Sequence, residues 1–295
     1  MPAVIQHPPT LLFLYLAPTL AAATACAGLQ EPAEPTPQDA ARAAFESAEQ
    51  TYESGNYLEA MRDLQQVKTR HPYSAFAPRA ELMVGDCHFE MGKYLEAVEV
   101  YRAFVRFHPH HDKVGYARFR IGESYFREMP ENWFFMPPAY EKDQAATRDA
   151  VRALRRFLDK HPDSDRAPQA KDMLRASRRR LADHEMYVAN FYLSREKPSA
   201  AAGRLERLIE RYPDVGLGPD ALLKLGQLYR DHLGAPGKAQ EAFNKLIREF
   251  PDDERAALAK QALQGLPSSP APPATAPEPN DPSTPNAGSS PHSES

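Results

Sequence analysis

The feature that most constrains this chain is a spacing pattern that occurs five times, each time around a proline. An alanine stands twelve residues before that proline and another eight residues after it in every copy. Large apolar residues stand eight and five residues before it and twelve residues after it. The five prolines are Pro72, Pro109, Pro162, Pro213 and Pro251. Such regularity predicts one structural unit repeated in tandem.

The spacing within each copy is that of α-helices. Alanines and large apolar residues at offsets of three, four and seven lie on one face of a helix. Because a proline disfavours helical geometry in the residue before it, the first helix of each copy is predicted to end there. These predicted ends are His71, His108, His161, Tyr212 and Phe250. A second helix follows, and a pair of this kind covers its apolar face only against the next pair, which predicts stacking.

The pattern resembles the tetratricopeptide repeat, whose consensus places alanine, an aromatic residue and proline at similar offsets. The first and last intervals between the prolines are 37 and 38 residues, slightly more than the roughly 34 of the plain repeat. The resemblance implies an all-α protein: a right-handed α-solenoid of five helix pairs, about ten helices, over residues 39–265.

The two longer intervals have different explanations. In the first, the extra length falls in a proline-rich loop, residues 129–142, which carries the single tryptophan. Its aromatic residues either cap the adjacent helices or contact a partner; they are Trp133, Phe134, Phe135 and Tyr140. In the second, residues 169–197 contain no glycine or proline, which predicts one long central helix of roughly 40 Å.

A basic run lies on this long helix. It is interpreted either as a solvated face or as a site for an acidic segment or a peptide carboxylate. Its members are Lys171, Arg175, Arg178, Arg179 and Arg180.

The N-terminal end has the features of an export signal. Residues 11–25 are apolar, but the run is too short and too interrupted by Pro18 to be an ordinary membrane helix, so residues 1–25 are predicted to be a signal peptide. Cys26 follows Ala-Thr-Ala, as in the lipobox of bacterial lipoproteins, which implies that its thiol is acylated. The same small residues also fit ordinary signal peptidase, which would release a soluble protein. Under the first reading, residues 26–38 form a lipidated, proline-rich tether.

Composition narrows the possible functions. A net charge of -4 and a pI near 6.2 provide no basic excess, so a nucleic-acid partner is not expected. With Cys26 as the lipid candidate, Cys87 is left alone in an apolar helix, which excludes a disulfide framework and predicts a core position. The proline-rich tail, residues 266–295, is predicted to be disordered.

Catalytic motifs are absent from the sequence. His108, His110 and His111 stand close together and would have to bind zinc if the chain were a soluble periplasmic metal hydrolase. However, His108 occupies the repeat position at which the other first helices end. There is also no nucleophile elbow, phosphate loop or metalloprotease motif. We therefore expect no catalytic residue, no metal site and no cofactor other than the covalent lipid, and the chain is not expected to be an enzyme.

A longer run of residues points to a particular family. Residues 181–192 read LADHEMYVANFY and precede Arg195 and Arg204, while residues 55–57 and 71–74 read GNY and HPYS. These residues resemble the BamD family of lipoproteins, which belong to the β-barrel assembly machinery of the Gram-negative outer membrane. The turn at residues 196–198 and the proline-rich tail depart from the family pattern.

The resemblance implies an adaptor without enzymatic activity, lipid-anchored at the periplasmic face of the cell outer membrane. Its C-terminal repeats would bind the last POTRA domain of the insertase BamA through Arg204 and Arg195, alongside other subunits. Its N-terminal repeats would receive the C-terminal β-signal of unfolded outer-membrane proteins. For that groove we select Tyr73, Phe76 and Arg79, at the first turn between repeats. The alternative is another periplasmic tetratricopeptide lipoprotein, a scaffold for cell-envelope or division coordination.

Overall fold

The computed structural model describes residues 36–130, 138 and 140–266, and every regular element within them is an α-helix. Each helix packs chiefly against the next one along the chain, and further contacts join α1 to α3, α5 to α7 and α9 to α11. The helices are α1 Pro37–Glu53, α2 Tyr57–Arg70, α3 Phe76–Glu90, α4 Tyr94–Phe107, α5 Val114–Arg127, α6 Ala145–Lys160, α7 Ala167–Ser194, α8 Pro198–Arg211, α9 Gly218–Asp231, α10 Pro236–Glu249 and α11 Glu254–Gln264. This arrangement confirms the predicted α-solenoid of five pairs, α2 with α3 through α10 with α11, and α1 is an additional helix that precedes them.

The helix ends predicted from the prolines are confirmed. The residue before each proline has left helical geometry, and its backbone N–H still donates to the carbonyl four residues earlier. The bond lengths range from 2.8 Å to 3.0 Å, and the five residues are His71, His108, His161, Tyr212 and Phe250. The proline therefore stops each helix without leaving that backbone donor unpaired.

The ten alanines of the pattern form the centre of the helix contacts. None of them retains any accessible surface, so each methyl group is fully enclosed between neighbouring helices. Those in the first helix of each copy are Ala60, Ala97, Ala150, Ala201 and Ala239, and those in the second are Ala80, Ala117, Ala170, Ala221 and Ala259.

Three glycines mark still closer approaches, which the sequence analysis overlooked. Each glycine lies thirteen residues after the proline of its copy. It contacts the large side chain that stands eight residues before the next of the five prolines. A Cβ at the glycine would lie only 2.4–2.7 Å from that side chain. The pairs are Gly85 with Tyr101, Gly122 with Leu154, and Gly226 with Phe243. A side chain at these positions would force the helices apart.

A charged network joins α3, α4 and α5. Arg120 donates to the Tyr101 hydroxyl at 3.1 Å, lies 3.3 Å from the Asp86 carboxylate, and places its guanidinium 3.7 Å from the centroid of the Phe89 ring. The hydroxyls of Tyr101 and Tyr116 donate to Asp86 at 2.6 Å and 2.7 Å. Burial raises the pKa of Asp86, and the two hydroxyls and Arg120 act in the opposite direction without cancelling that effect.

The long central helix is confirmed, with shifted ends. Helix α7 has 28 residues, Ala167–Ser194, and therefore runs for about 42 Å. It stops three residues before the predicted end at Lys197, because Glu196 takes a left-handed conformation with φ 57°. Pro198 then begins α8. The resulting turn replaces the continuous helix expected there.

Several sequence predictions lie outside the described residues. They are the signal peptide, Cys26 with most of the tether, the loop residues Trp133, Phe134 and Phe135, and residues 267–295 of the tail. Cys87 is fully buried, as predicted. Among the helices of the described part, none combines the length and the apolar character that a membrane span requires.

Candidate partner-binding surfaces

Arg204 lies on α8 and faces α7. Its Nη1 donates to the Glu185 Oε2 at 3.1 Å, and Arg207 lies 3.6 Å from the same carboxylate oxygen. Burial alone would lower the pKa of Arg204, but the hydrogen bond to Glu185 and its negative charge outweigh burial and raise it. The Arg204 side chain is still 29% exposed, so one carboxylate holds it in place while part of it faces solvent.

Arg195 follows the last residue of α7 and is exposed. Its guanidinium lies 5.4 Å from the Phe191 ring centroid, that ring is 5.9 Å from the Tyr192 ring, and Arg204 lies 6.0 Å from Tyr192. The two arginines that the sequence analysis assigned to one partner are therefore joined through an aromatic pair. Phe191 is 46% exposed, which leaves an apolar surface between two cations.

The basic run on α7 is not a solvated face along its whole length. Arg178 is buried and donates to the Asp214 carboxylate and, at 3.1 Å, to the Arg211 carbonyl. The hydrogen bond from Arg178 holds the pKa of Asp214 below its usual value. Arg179 donates to the Val215 carbonyl at 2.9 Å. For Arg178 the solvated-face prediction is wrong, because the turn between α8 and α9 supplies acceptors that fix this side chain against α7. Arg179 contacts the same turn but remains exposed.

The middle of α7 holds the proline-rich loop at both of its described ends. Arg180 donates to the Pro130 carbonyl, and His184 Nδ1 lies 2.5 Å from the Tyr140 carbonyl oxygen. The Tyr140 ring packs against Tyr187 with the ring centroids 5.6 Å apart. Tyr140 thus contacts a helix, in agreement with the interpretation that the loop aromatics cap neighbouring helices.

At the N-terminal end, the structure separates the three residues assigned to the peptide groove. Tyr73 is 97% exposed and lines a cavity of about 230 Å³ together with Arg70 and His71. Phe76 instead packs on Phe45 of α1 with the ring centroids 5.6 Å apart.

Arg79 covers the same aromatic pair as Phe76. Its guanidinium lies 4.6 Å from the Phe45 ring centroid and 5.7 Å from that of Phe76. Phe76 and Arg79 therefore join α1 to α3, and Tyr73 alone projects freely into solvent.

Two of the three clustered histidines, His108 and His111, contact different carboxylates. His108 Nε2 lies 3.0 Å from the Glu81 carboxylate, and His111 Nδ1 lies 2.7 Å from Asp112. Within the described ranges, no group of three or more His, Cys, Asp and Glu side chains is placed to hold a metal ion.

The pairing residues were missed by the sequence analysis. Glu185 lies inside the run that carried the family resemblance, ten residues before Arg195, but nothing local indicates that it reaches across to Arg204. Asp214 directly follows Pro213, at the repeat position that also carries Asp163 and Asp252, so it resembled an ordinary turn residue.

Comparison with known proteins decides the family. The model of the family described as "Outer membrane lipoprotein", YfiO, matches residues 37–242. The chain belongs to the YfiO family. A relative from Caulobacter vibrioides, named outer membrane protein assembly factor BamD, is 28% identical over 199 residues, which are 68% of this chain and 62% of the relative. The chain thus matches somewhat less than two thirds of that relative's length.

Other relatives match shorter stretches. A protein of the same name from Xylella fastidiosa is 36% identical over 111 residues, which are 38% of each chain. Among solved structures, the TPR2AB-domain:pHSP90-complex of yeast Sti1 aligns with a TM-score of 0.39 and 16% identity, covering 76% of this chain and 83% of that chain.

Proposed function

We propose that this YfiO-family chain is a lipoprotein adaptor of outer-membrane β-barrel assembly, which binds the insertase BamA and the β-signal of unfolded outer-membrane proteins. The match to the family over residues 37–242, and relatives named as assembly factors, support this proposal. The chain would act by binding, without chemistry of its own. Acylated Cys26 would anchor the chain to the periplasmic face of the outer membrane. Mass spectrometry of the N-terminal peptide from the membrane fraction tests whether Cys26 is acylated.

The surface formed by Arg204, Phe191 and Arg195 supports the proposal that the chain binds BamA. Glu185 fixes the guanidinium of Arg204, so little side-chain entropy is lost when a second carboxylate binds its exposed part. Phe191 adds an exposed aromatic ring beside it, and arginine and aromatic residues are the types that contribute most to interfaces. A POTRA domain with a surface carboxylate next to an apolar patch would complement this surface.

The first prediction reverses the charge of Arg204. In Arg204→Glu, co-purification of BamA with the tagged chain from membranes should fall by at least about fivefold, because the carboxylate of the partner would meet a like charge. The helical circular-dichroism signal should persist, since Arg204 is partly exposed. The matched control is Arg211→Glu, an exposed position on the same helix, which should retain BamA.

A charge swap separates a partner contact from an internal one. The double variant Glu185→Arg/Arg204→Glu restores the ion pair between α7 and α8 with reversed polarity. If Arg204 contacts BamA, the swap should leave co-purification low. Recovery of wild-type co-purification in the swap would mean that Arg204 serves only the helix pair, and the assigned interface would be wrong.

We assign the substrate β-signal to the cavity beside Tyr73. An extended segment that ends in an aromatic residue could stack on the free Tyr73 ring, with Arg70 at the cavity edge available to its terminal carboxylate. Phe76 and Arg79 would support this site by fixing α3 against α1.

The second prediction removes the Tyr73 ring. Binding of a fluorescent peptide that carries the last strand of an outer-membrane barrel should weaken by about fivefold in Tyr73→Ala, as expected for a contact of more than roughly 1 kcal/mol. Fluorescence anisotropy measures the affinity. The control is Phe107→Ala, which removes an aromatic ring that is 63% exposed at the end of α4. An equal loss in both variants, or no loss in Tyr73→Ala, would refute the assignment.

A further inference from the structure

Two cavities lie at equivalent positions of the repeat. One, of about 150 Å³, lies among α4, α5 and α6, and the other, of about 480 Å³, among α8, α9 and α10. The middle helix is α5 in the first cavity and α9 in the second. Both contribute the residues that stand nine, twelve and sixteen positions after the preceding proline of the repeat. The following helix contributes the positions thirteen, ten, nine and six residues before the next proline. The two cavities are therefore one feature of the fold, formed twice.

The floors of the two cavities are similar. Ile121 and Leu225 occupy the same position, and Tyr125 and Tyr229 occupy another. Each floor therefore offers one aliphatic and one aromatic side chain to an occupant. Differences in what binds must arise from the walls.

The walls differ in charge. The first cavity, here the basic groove, is lined by four arginines and one carboxylate: Arg102, Arg118, Arg152, Arg156 and Asp149. The second, here the mixed groove, is lined by three carboxylates and two lysines: Glu206, Glu210, Glu241, Lys238 and Lys245. The basic groove has a charge of about +3 and the mixed groove about -1 if each wall residue has its usual charge at neutral pH. The repeat geometry is thus shared, and the electrostatics are not.

Two arginines of the basic groove have no carboxylate partner in the described part of the chain. Arg156 forms no hydrogen bond or ion pair there. Arg118 contacts the His161 ring, with Nη1 3.0 Å from Nε2. An arginine cannot accept a hydrogen bond, so the imidazole nitrogen accepts it. Burial and the charge of Arg118 lower the pKa of His161, which favours the neutral ring that this hydrogen bond requires.

The other two arginines are already paired. Arg152 donates to Asp149, and Arg102 lies 3.4 Å from Glu99 and 5.5 Å from the centroid of the Tyr125 ring. The free cationic charge of the groove is therefore concentrated on Arg118 and Arg156, above an apolar floor.

We propose that the basic groove binds an extended acidic segment of a partner protein. One carboxylate of that segment would be held by Arg118 and Arg156, because a planar guanidinium matches a carboxylate in two parallel hydrogen bonds. An apolar side chain beside it would lie on Ile121 and Tyr125. A bilayer surface is flat and cannot enter a cavity between helices, whereas a single peptide chain can. No residue assigned above to BamA or to the β-signal lines this groove, so the inference goes beyond the proposed function.

The test uses the full chain and a fluorescein-labelled peptide of about eight residues in which Asp and Val alternate, so that acidic and apolar side chains follow one another. Fluorescence anisotropy should show binding to the wild type. Affinity should fall at least about tenfold in Arg118→Gln/Arg156→Gln, because both guanidiniums that lack a carboxylate partner are lost. Glutamine keeps a donor for His161, and circular dichroism checks that the helices remain.

A matched control comes from the repeat itself. Lys245 stands in the mixed groove at the position of Arg156, so Lys245→Gln removes the same charge at the equivalent site. Its affinity for the peptide should stay within about twofold of the wild type, which corresponds to less than about 0.5 kcal/mol. If the double variant does not fold, Arg156→Gln alone should still weaken binding by about threefold, since Arg156 is exposed and unpaired.

Four outcomes would overturn the proposal. The first is that the wild type does not bind the peptide at concentrations up to about 1 mM. The second is that Lys245→Gln and Arg156→Gln lose equal affinity for the peptide, and the third is that a peptide with Lys in place of Asp binds as tightly. The fourth is that the double variant loses affinity only for lipid. The last is measured with phosphatidylglycerol vesicles: weaker vesicle binding in the double variant, with peptide binding unchanged, would identify the groove as a lipid site.

Discussion

Replacing Arg120 with methionine should lower the free energy of unfolding by about 3–5 kcal/mol, because it leaves buried carboxylates without their cation. Arg120 is 9% exposed and lies within 3.4 Å of the carboxylates of Asp86, Glu90 and Glu123. Its loss also removes the cation from the Phe89 ring. Urea unfolding followed by circular dichroism measures the change. The control is Arg127→Met, an exposed arginine on the same helix, which should change stability by less than about 0.5 kcal/mol.

The deficit of Arg120→Met should depend on pH. Burial raises the pKa of Asp86 above its usual value, so the folded state binds the proton more tightly than the unfolded state does. Stability from this group is therefore present at low pH and is lost as pH rises through the folded pKa. Removing Arg120 raises this pKa further, so the deficit should shrink as pH falls from about 7 to about 4. A deficit that stays constant, or an Arg120→Met variant as stable as the wild type, would contradict this account of the network.

Gly226→Val should lower the free energy of unfolding by about 1–3 kcal/mol, because the added side chain overpacks the contact between α9 and α10. The loss is larger when the two helices cannot move apart. A Cβ at this position would lie 2.4 Å from a ring atom of Phe243, and that ring is fully buried. Thermal unfolding should show a lower midpoint, and the double variant Gly226→Val/Phe243→Leu should recover part of the loss by making room.

The control for this prediction is Gly203→Ala. Gly203 lies within α8, and nothing is found within 4 Å of a Cβ built on it. Alanine there should raise stability by up to about 1 kcal/mol, because glycine is the poorer helix former. The same class of change thus has opposite signs at two helical glycines. A stabilising Gly226→Val would mean that the close approach of α9 and α10 does not exist.

The repeat itself could be predicted from local rules. The ring of Pro162 ends a helix. Ala150 in the helix before it and Ala170 in the helix after it each mark a buried face, because the apolar residues around each alanine have helical spacing. Both alanines are fully buried in the structure. Gly122 could have been found in the same way, since it recurs at one repeat position in three of the five copies, but arginine and glutamine occupy that position in the other two.

The environments of the site residues could not be predicted in this way. Arg204 and Arg178 are both arginines on regular helices, and nothing in their neighbours along the chain distinguishes them. Arg204 pairs with Glu185 from the preceding helix and keeps an exposed part, while Arg178 is buried against Asp214, 36 residues away. Such pairings depend on how each helix is rotated about its own axis. The periodicity of apolar residues shows which face of a helix is buried, but it does not show which polar side chain of the next helix a given arginine reaches.

The sequence by itself determined the number of helix pairs, the ends of the five helices that precede the prolines, and the burial of the alanines and large apolar residues of the repeat, because these follow from proline geometry and from the spacing of apolar side chains. Only the tertiary structure decided which charges meet. It placed Arg118 and Arg156 in one cavity and gave the equivalent cavity, at the same repeat positions, a different set of charges. The physical reason is that a helix position is a local property, whereas an ion pair or a cavity requires two or three helices at a defined distance.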